Sequence, residues 1–102
     1  MGYFQITADI IAEGNLTVSN PIALWRPVPS FNSNKVTYQF QLFATTTDMA
    51  NKEKFQPKEF SLNMTDDSLD LTDSANWALM RDKAEELLEG VIGTDTVSFT
   101  VV

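Results

Sequence analysis

The chain has 102 residues, of which 43% are hydrophobic and 11% are aromatic, a composition that suits one globular domain over residues 1–102. It contains neither cysteine nor histidine, which excludes disulfides, thiolate nucleophiles, Cys/His zinc sites and triads built on a histidine base. Its net charge of −7 at pH 7 opposes direct binding to nucleic-acid phosphates or anionic membranes and favours a basic partner.

The first predicted element is a strand over residues 3–12, in which apolar and polar side chains alternate. A Glu-Gly-Asn turn signal follows at residues 13–15, so the chain is expected to fold back as a hairpin into residues 16–25. Pro21 interrupts this second run, which indicates a sheet edge or a bulge. Residues 26–34 contain prolines and asparagines and are expected to form a loop.

Three further strands are predicted at residues 35–44, 59–65 and 96–102, because apolar and polar side chains alternate in each of them. Such alternation is typical of a strand with one buried face and one face in water. Residues 45–57 form a polar connection, in which one helical turn is expected around residues 48–53.

One helix is predicted from about residue 73 to residue 89, capped by Asp73 or Ser74 and stopped by glycines at positions 90 and 93. Its apolar stripe at three- and four-residue steps is expected to be core, and it comprises Trp77, Met80, Ala84, Leu87, Leu88 and Val91. The predicted fold is therefore two-layer α+β: a four- to five-stranded, mainly antiparallel sheet, packed by this C-terminal helix, which a terminal strand follows.

Residues 66–95 contain nine acidic residues and only two basic ones, Arg81 and Lys83. This third of the chain therefore carries the whole net charge. A calcium loop of the EF-hand type fails in both registers, because its glycine and its glutamate are missing. A looser cation site at Asp66, Asp67 and Asp70 remains a weak metal candidate. The acids of the helix are either a solvated face or a partner-binding surface: Asp82, Glu85, Glu86 and Glu89.

A second candidate for partner binding is the predicted loop that carries Trp25, Arg26 and Phe31, since aromatic and arginine side chains are enriched at binding hot spots. Phosphate-binding glycine motifs and nucleophile motifs are absent from the sequence. We therefore expect no catalytic residues, no cofactor and no enzymatic activity.

The leading functional hypothesis is a small non-enzymatic structural or assembly protein that acts through protein–protein contacts or self-assembly, for example as an accessory subunit of a phage virion. The alternative is an acidic inhibitor that imitates nucleic acid and binds the basic groove of a nucleic-acid-binding protein. No run reaches about 18 apolar residues and no secretion signal is visible. A cytoplasmic or virion-associated location is therefore expected, with no direct contact to nucleic acid or membrane.

Overall fold

The structure is a computed structural model that describes residues 2–30, 32–33, 35–67 and 77–101. Its elements in chain order are β1 (Gly2–Ile6), β2 (Asp9–Ile11), β3 (Thr17–Ser19), β4 (Ile22–Ser30), β5 (Lys35–Phe43), α1 (Thr46–Ala50), β6 (Asn63–Asp66), α2 (Trp77–Ile92) and β7 (Val97–Val101). Five strands form one sheet in the order β6-β5-β4-β1-β7, and β2 pairs with β3 in a small second sheet.

Every neighbouring pair in the main sheet is antiparallel, and α2 packs against one face of it. The predicted α+β fold is confirmed. The core lies between helix and sheet, where Met80, Ala84 and Leu88 of α2 belong to the same buried cluster as side chains of β1 and β5. Within the described part of the chain, no helix is long and apolar enough to cross a membrane.

The alternation in β5 produces the buried face that the sequence predicts. Its even-numbered side chains are at most 3% exposed, and they are Val36, Tyr38, Phe40 and Leu42. The polar side chains between them point to the opposite face, as the period of two requires. Burial of this row stabilises the centre of the sheet.

The predicted first strand is divided in two, because β1 ends at Ile6 and β2 begins at Asp9 in a different sheet. Thr7 still donates its backbone N–H to the Thr96 carbonyl at 2.7 Å, in the register of the β1–β7 pairs, so the chain leaves the main sheet after Thr7. The predicted return of the chain is confirmed: β2 folds back onto β3, and β1 pairs with β4. The turn between β2 and β3 has Gly14 at φ 85° and Asn15 at φ 63°, left-handed conformations that these two residue types tolerate best.

The predicted loop at residues 26–34 is wrong over its first half, because β4 continues through Ser30. Phe40 of β5 donates its backbone N–H to the Leu62 carbonyl, which lies on the side of β6. The backbone N–H and C=O groups of the even-numbered β5 residues therefore point toward β6 and away from β4. The β4 residues opposite them, which have odd numbers, therefore direct their backbone groups away from β5. Pro27 and Pro29 lie at these positions, opposite Tyr38 and Val36, where a missing N–H costs the β4–β5 ladder nothing.

The helix differs from its prediction at its C-terminal end, whereas its predicted start is not among the described residues. Residues 73–76, with the predicted cap, lie outside the described part of the chain. Gly90 does not stop α2, which ends at Ile92 and is followed by Gly93, a residue at φ 148°. Trp77 and Val91 are also not core, because they are 56% and 46% exposed.

Two shorter elements also differ in extent from their predictions. Helix α1 occupies residues 46–50, two positions before the predicted turn. Thr45 caps it by accepting the Asp48 N–H at 3.1 Å. Strand β6 is four residues long, although Phe60 and Leu62 ahead of it still pack against the core as predicted.

Candidate binding cleft

The central feature outside the core is a gap between β1 and β4. Strand β1 pairs with β7 along all five of its residues but with β4 only at Phe4↔Ala23 and Gln5↔Ile22. Continued pairing would set Gly2 opposite Trp25, but the two strands diverge before that point. A cleft of about 400 Å³ opens there, lined by Gly2, Leu24, Trp25, Arg26, Gln39, Gln41, Trp77, Phe99 and Val101.

Aromatic rings form one wall of this cleft. The ring centroids of Trp25 and Trp77 are 4.5 Å apart, so the first turn of α2 is joined to the middle of β4. Trp25 also contacts Tyr38 at 6.3 Å and Phe4 at 6.0 Å on its core side. Trp25 is therefore held between the core and the cleft, while Trp77 is more than half exposed at the mouth.

The opposite wall comes from β1 and β7. The Phe99 ring packs edge-on against Phe4 with centroids 5.3 Å apart. A Cβ atom on Gly2 would overlap the Thr100 carbonyl oxygen and lie 2.7 Å from ring carbon Cζ of Phe99. Only glycine therefore fits between the Phe99 ring and the cleft at this position.

Polar groups surround the cleft on the water side of the sheet. Arg26 lies opposite Gln39, and Leu24 lies opposite Gln41, in the ladder between β4 and β5. On the helix, the Arg81 guanidinium carbon is 5.0 Å from the centre of the Phe99 ring, a cation–π contact. The cleft thus combines apolar rings with a few hydrogen-bond donors, the usual composition of a binding site.

Tyr38, whose ring stacks on that of Trp25, has a buried hydroxyl group. Tyr38 is 0% exposed, and its Oη has no hydrogen-bond partner among the described residues. Burial in apolar surroundings, with a smaller contribution from the Asp66 charge, raises the pKa of Tyr38 to about 12. This hydroxyl therefore stays protonated at neutral pH, and it does not line the cleft.

None of the acids of α2 lines the cleft, and Glu85 and Glu89 are half-buried at the side of the apolar stripe. Asp82 and Glu86 are exposed, with Glu86 3.3 Å from the Lys83 ammonium. The pKa of Glu85 is raised by partial burial and by the charges of Glu89 and Asp82, against which Arg81 acts. The negative charges of Glu89 and Asp82 thus disfavour the ionisation of Glu85.

The predicted metal candidates do not form a site in the described residues. Asp66 lies in β6 and Asp67 directly follows it, while Asp70 lies outside the described residues. Among the residues that the structure describes, no group of three or more acidic side chains could hold a metal ion.

Of the residues predicted for partner binding, the structure brings Trp25 and Arg26 into the cleft, on a strand and not on a loop. Phe31 lies outside the described residues. Sequence reasoning missed the rest of the cleft, because Trp77 was assigned to the core and β7 was not known to lie beside β1.

Both tryptophans of the chain are in this cleft, so intrinsic fluorescence reports on it directly. The chain was also compared with protein-family models, with curated proteins and with solved structures, and none of the three comparisons finds a match.

Proposed function

We propose that this chain is a small non-enzymatic assembly protein, and that its cleft receives a bulky apolar side chain from a partner protein. The observation that carries the proposal is the contact of Trp25 with Trp77 at the open cleft. Tryptophan supplies much of the binding energy at protein interfaces when it borders a pocket that a partner side chain fills.

The dimensions of the cleft favour this kind of occupant. A volume of about 400 Å³ accommodates one or two large side chains, and it lies at the lower end of the range for ligand sites, about 300–1,000 Å³. Trp25 is held in place by Phe4 and Tyr38, so its ring loses little conformational freedom on binding. An apolar anchor would therefore gain buried area at a small entropic cost.

Charge indicates what should flank that anchor. The helix that begins with Trp77 continues into Asp82, Glu85, Glu86 and Glu89, and the chain as a whole carries −7. Basic residues beside the anchor would be attracted to this surface and would accelerate association. The partner segment that fits is thus an apolar side chain with lysine or arginine next to it.

Peptides selected from a random display library are expected to contain an aromatic or large aliphatic residue with a basic neighbour. Their binding, measured by anisotropy and by intrinsic tryptophan fluorescence, should weaken about 10- to 30-fold in Trp77→Ala, the size of a hot-spot loss. The control Leu79→Ala removes a side chain that is also more than half exposed on α2 but does not line the cleft. Leu79→Ala should bind as the wild type does. Peptides that bind Trp77→Ala as tightly as the wild type would overturn the proposal. A library selection that enriches no peptide would do the same.

A second candidate function is the acidic inhibitor, and the mutual repulsion around Glu85 favours it. A chain that keeps like charges together on one helix loses stability through them. A basic surface that binds there would offset this cost.

For this candidate, a nucleic-acid-binding protein captured from the native source should be displaced from the wild type by duplex DNA. The variant with Asp82→Asn, Glu85→Gln, Glu86→Gln and Glu89→Gln should capture it at least tenfold less well, because its helix presents no carboxylate at these positions. Trp77→Ala should leave this capture unchanged. Equal capture by the four-residue variant would remove the inhibitor hypothesis.

A further inference from the structure

We propose that the outer edge of β7 pairs with the β7 edge of a second copy of this chain, antiparallel and about a twofold axis. The main sheet has three open rows of backbone groups in the described structure: the outer sides of β6 and β7, and the part of β4 that β1 leaves unpaired. An open row of this kind accepts another strand unless something protects it.

Two of the three rows are protected. The open row of β4 contains Pro27 and Pro29 at the positions that point toward β1, so it has no donor beyond Trp25. On β6, the Ser61 hydroxyl oxygen accepts the outward N–H of Asn63 at 3.2 Å. The acid Asp67 directly follows this strand, and charges discourage strand addition.

The β7 row has none of these devices. Thr96 accepts a hydrogen bond from Thr7 on the β1 side, so alternate residues from Thr96 onward face β1. The residues between them, Val97, Phe99 and Val101, direct their N–H and C=O groups outward. Among the described residues no strand other than β1 pairs with β7. Residues 96–102 contain no charge and no proline, and β7 pairs with β1 without a bulge.

This edge is complementary to itself. If two β7 strands pair antiparallel with Phe99 on the axis, Val97 of each copy lies opposite Val101 of the other. All outward groups then meet as hydrogen-bonded pairs, and the two five-stranded sheets become one continuous sheet. A different chain would need a matching register, whereas a second copy supplies it by symmetry.

Two properties of the chain determine how tightly the two copies are expected to bind. The strand has five residues, so it buries far less than the roughly 800 Å² per partner of a standard interface, and a dissociation constant in the micromolar range or weaker is expected. Each copy also carries −7, so the copies repel. Raising the salt to about 0.5 M should strengthen the dimer, because the repulsion is screened.

Sedimentation velocity across a range of protein concentrations tests the proposal. The wild type should show a monomer–dimer equilibrium, and Val101→Pro should weaken dimerisation at least tenfold. The proline removes one outward N–H from each copy while the β1 ladder keeps its donors on neighbouring residues. Val101→Thr is the matched control, because it retains the N–H and changes only a side chain that is 76% exposed. This side chain also lines the cleft, so a dimer held by the cleft would respond to Val101→Thr, whereas a dimer held by the backbone edge would not.

The expected order of dimerisation is wild type and Val101→Thr alike, with Val101→Pro much weaker. Trp77→Ala should dimerise normally, which separates this edge from the cleft and from the function proposed for it. A wild type that stays monomeric at about 1 mM and high salt, or a dimer that Val101→Pro leaves intact, would overturn the proposal. A dimer lost in Trp77→Ala would do the same, because the cleft would then be the interface.

Discussion

Replacing Leu88 with alanine is expected to lower the free energy of unfolding by about 3 kcal/mol and the melting temperature by about 15 °C. Leu88 is 0% exposed and lies at the centre of the apolar stripe of α2, in the same cluster as Phe4 and Ile6 of the sheet. Truncation would remove three buried carbon atoms and leave a cavity between the two layers. The surrounding side chains can close such a cavity only partly.

Leu79→Ala is the matched control for Leu88→Ala, since it makes the same chemical change on the same helix at a side chain that is 54% exposed. Its effect should stay within about 0.5 kcal/mol, as is usual for surface positions. Urea unfolding followed by circular dichroism measures both variants. Equal losses in the two variants would mean that α2 does not pack on the sheet through this stripe.

Replacing Tyr38 with phenylalanine is expected to remove a loss of stability that the wild type suffers at alkaline pH. The hydroxyl ionises near pH 10 in the unfolded chain, but its pKa is about 12 in the fold. Between these values the folded state retains a proton that the unfolded state has released. Stability therefore falls as the pH rises from 10 to 12, by roughly 2–3 kcal/mol for this group.

The difference between Tyr38→Phe and the wild type isolates this effect, because every other alkaline titration is common to both proteins. At pH 7 the variant should be as stable as the wild type or more stable, since it lacks a buried hydroxyl without a partner among the described residues. Urea unfolding at several pH values between 7 and 12 provides the measurement. If the variant is clearly less stable at pH 7, or if the two pH profiles run parallel, the hydroxyl is not isolated in the core.

The fold class could be predicted because the buried side chains of β1 and β5 recur at every second residue. Such a period identifies the buried face of a strand even when its neighbouring strands are unknown. The path of β4 was missed for a physical reason. Proline opposes strand structure where an N–H is needed, and at Pro27 and Pro29 the N–H would point to the side of β4 on which no strand is paired. Whether an N–H is needed depends on strand order, which a single sequence does not contain.

The cleft was predictable only in part. Trp25 and Arg26 attracted attention by residue type, and the structure does bring both to the cleft. Trp77 fitted the helical stripe, but it lies at the first turn of α2, ahead of the buried residues Met80, Ala84 and Leu88. The first residue of α2 consequently extends past the core and meets Trp25 instead. Such an overhang depends on where a helix lies along a sheet, and periodicity does not determine that.

The ring contacts beside the cleft have a consequence for the kinetics of binding. Trp25 contacts Phe4 and Tyr38 on its core side, and the Phe99 ring across the gap packs edge-on against Phe4. The rings on both sides of the gap are therefore held by the core and not by an incoming molecule. A partner would meet a cleft that is already open, and its association rate would be limited by diffusion and orientation, without an opening step.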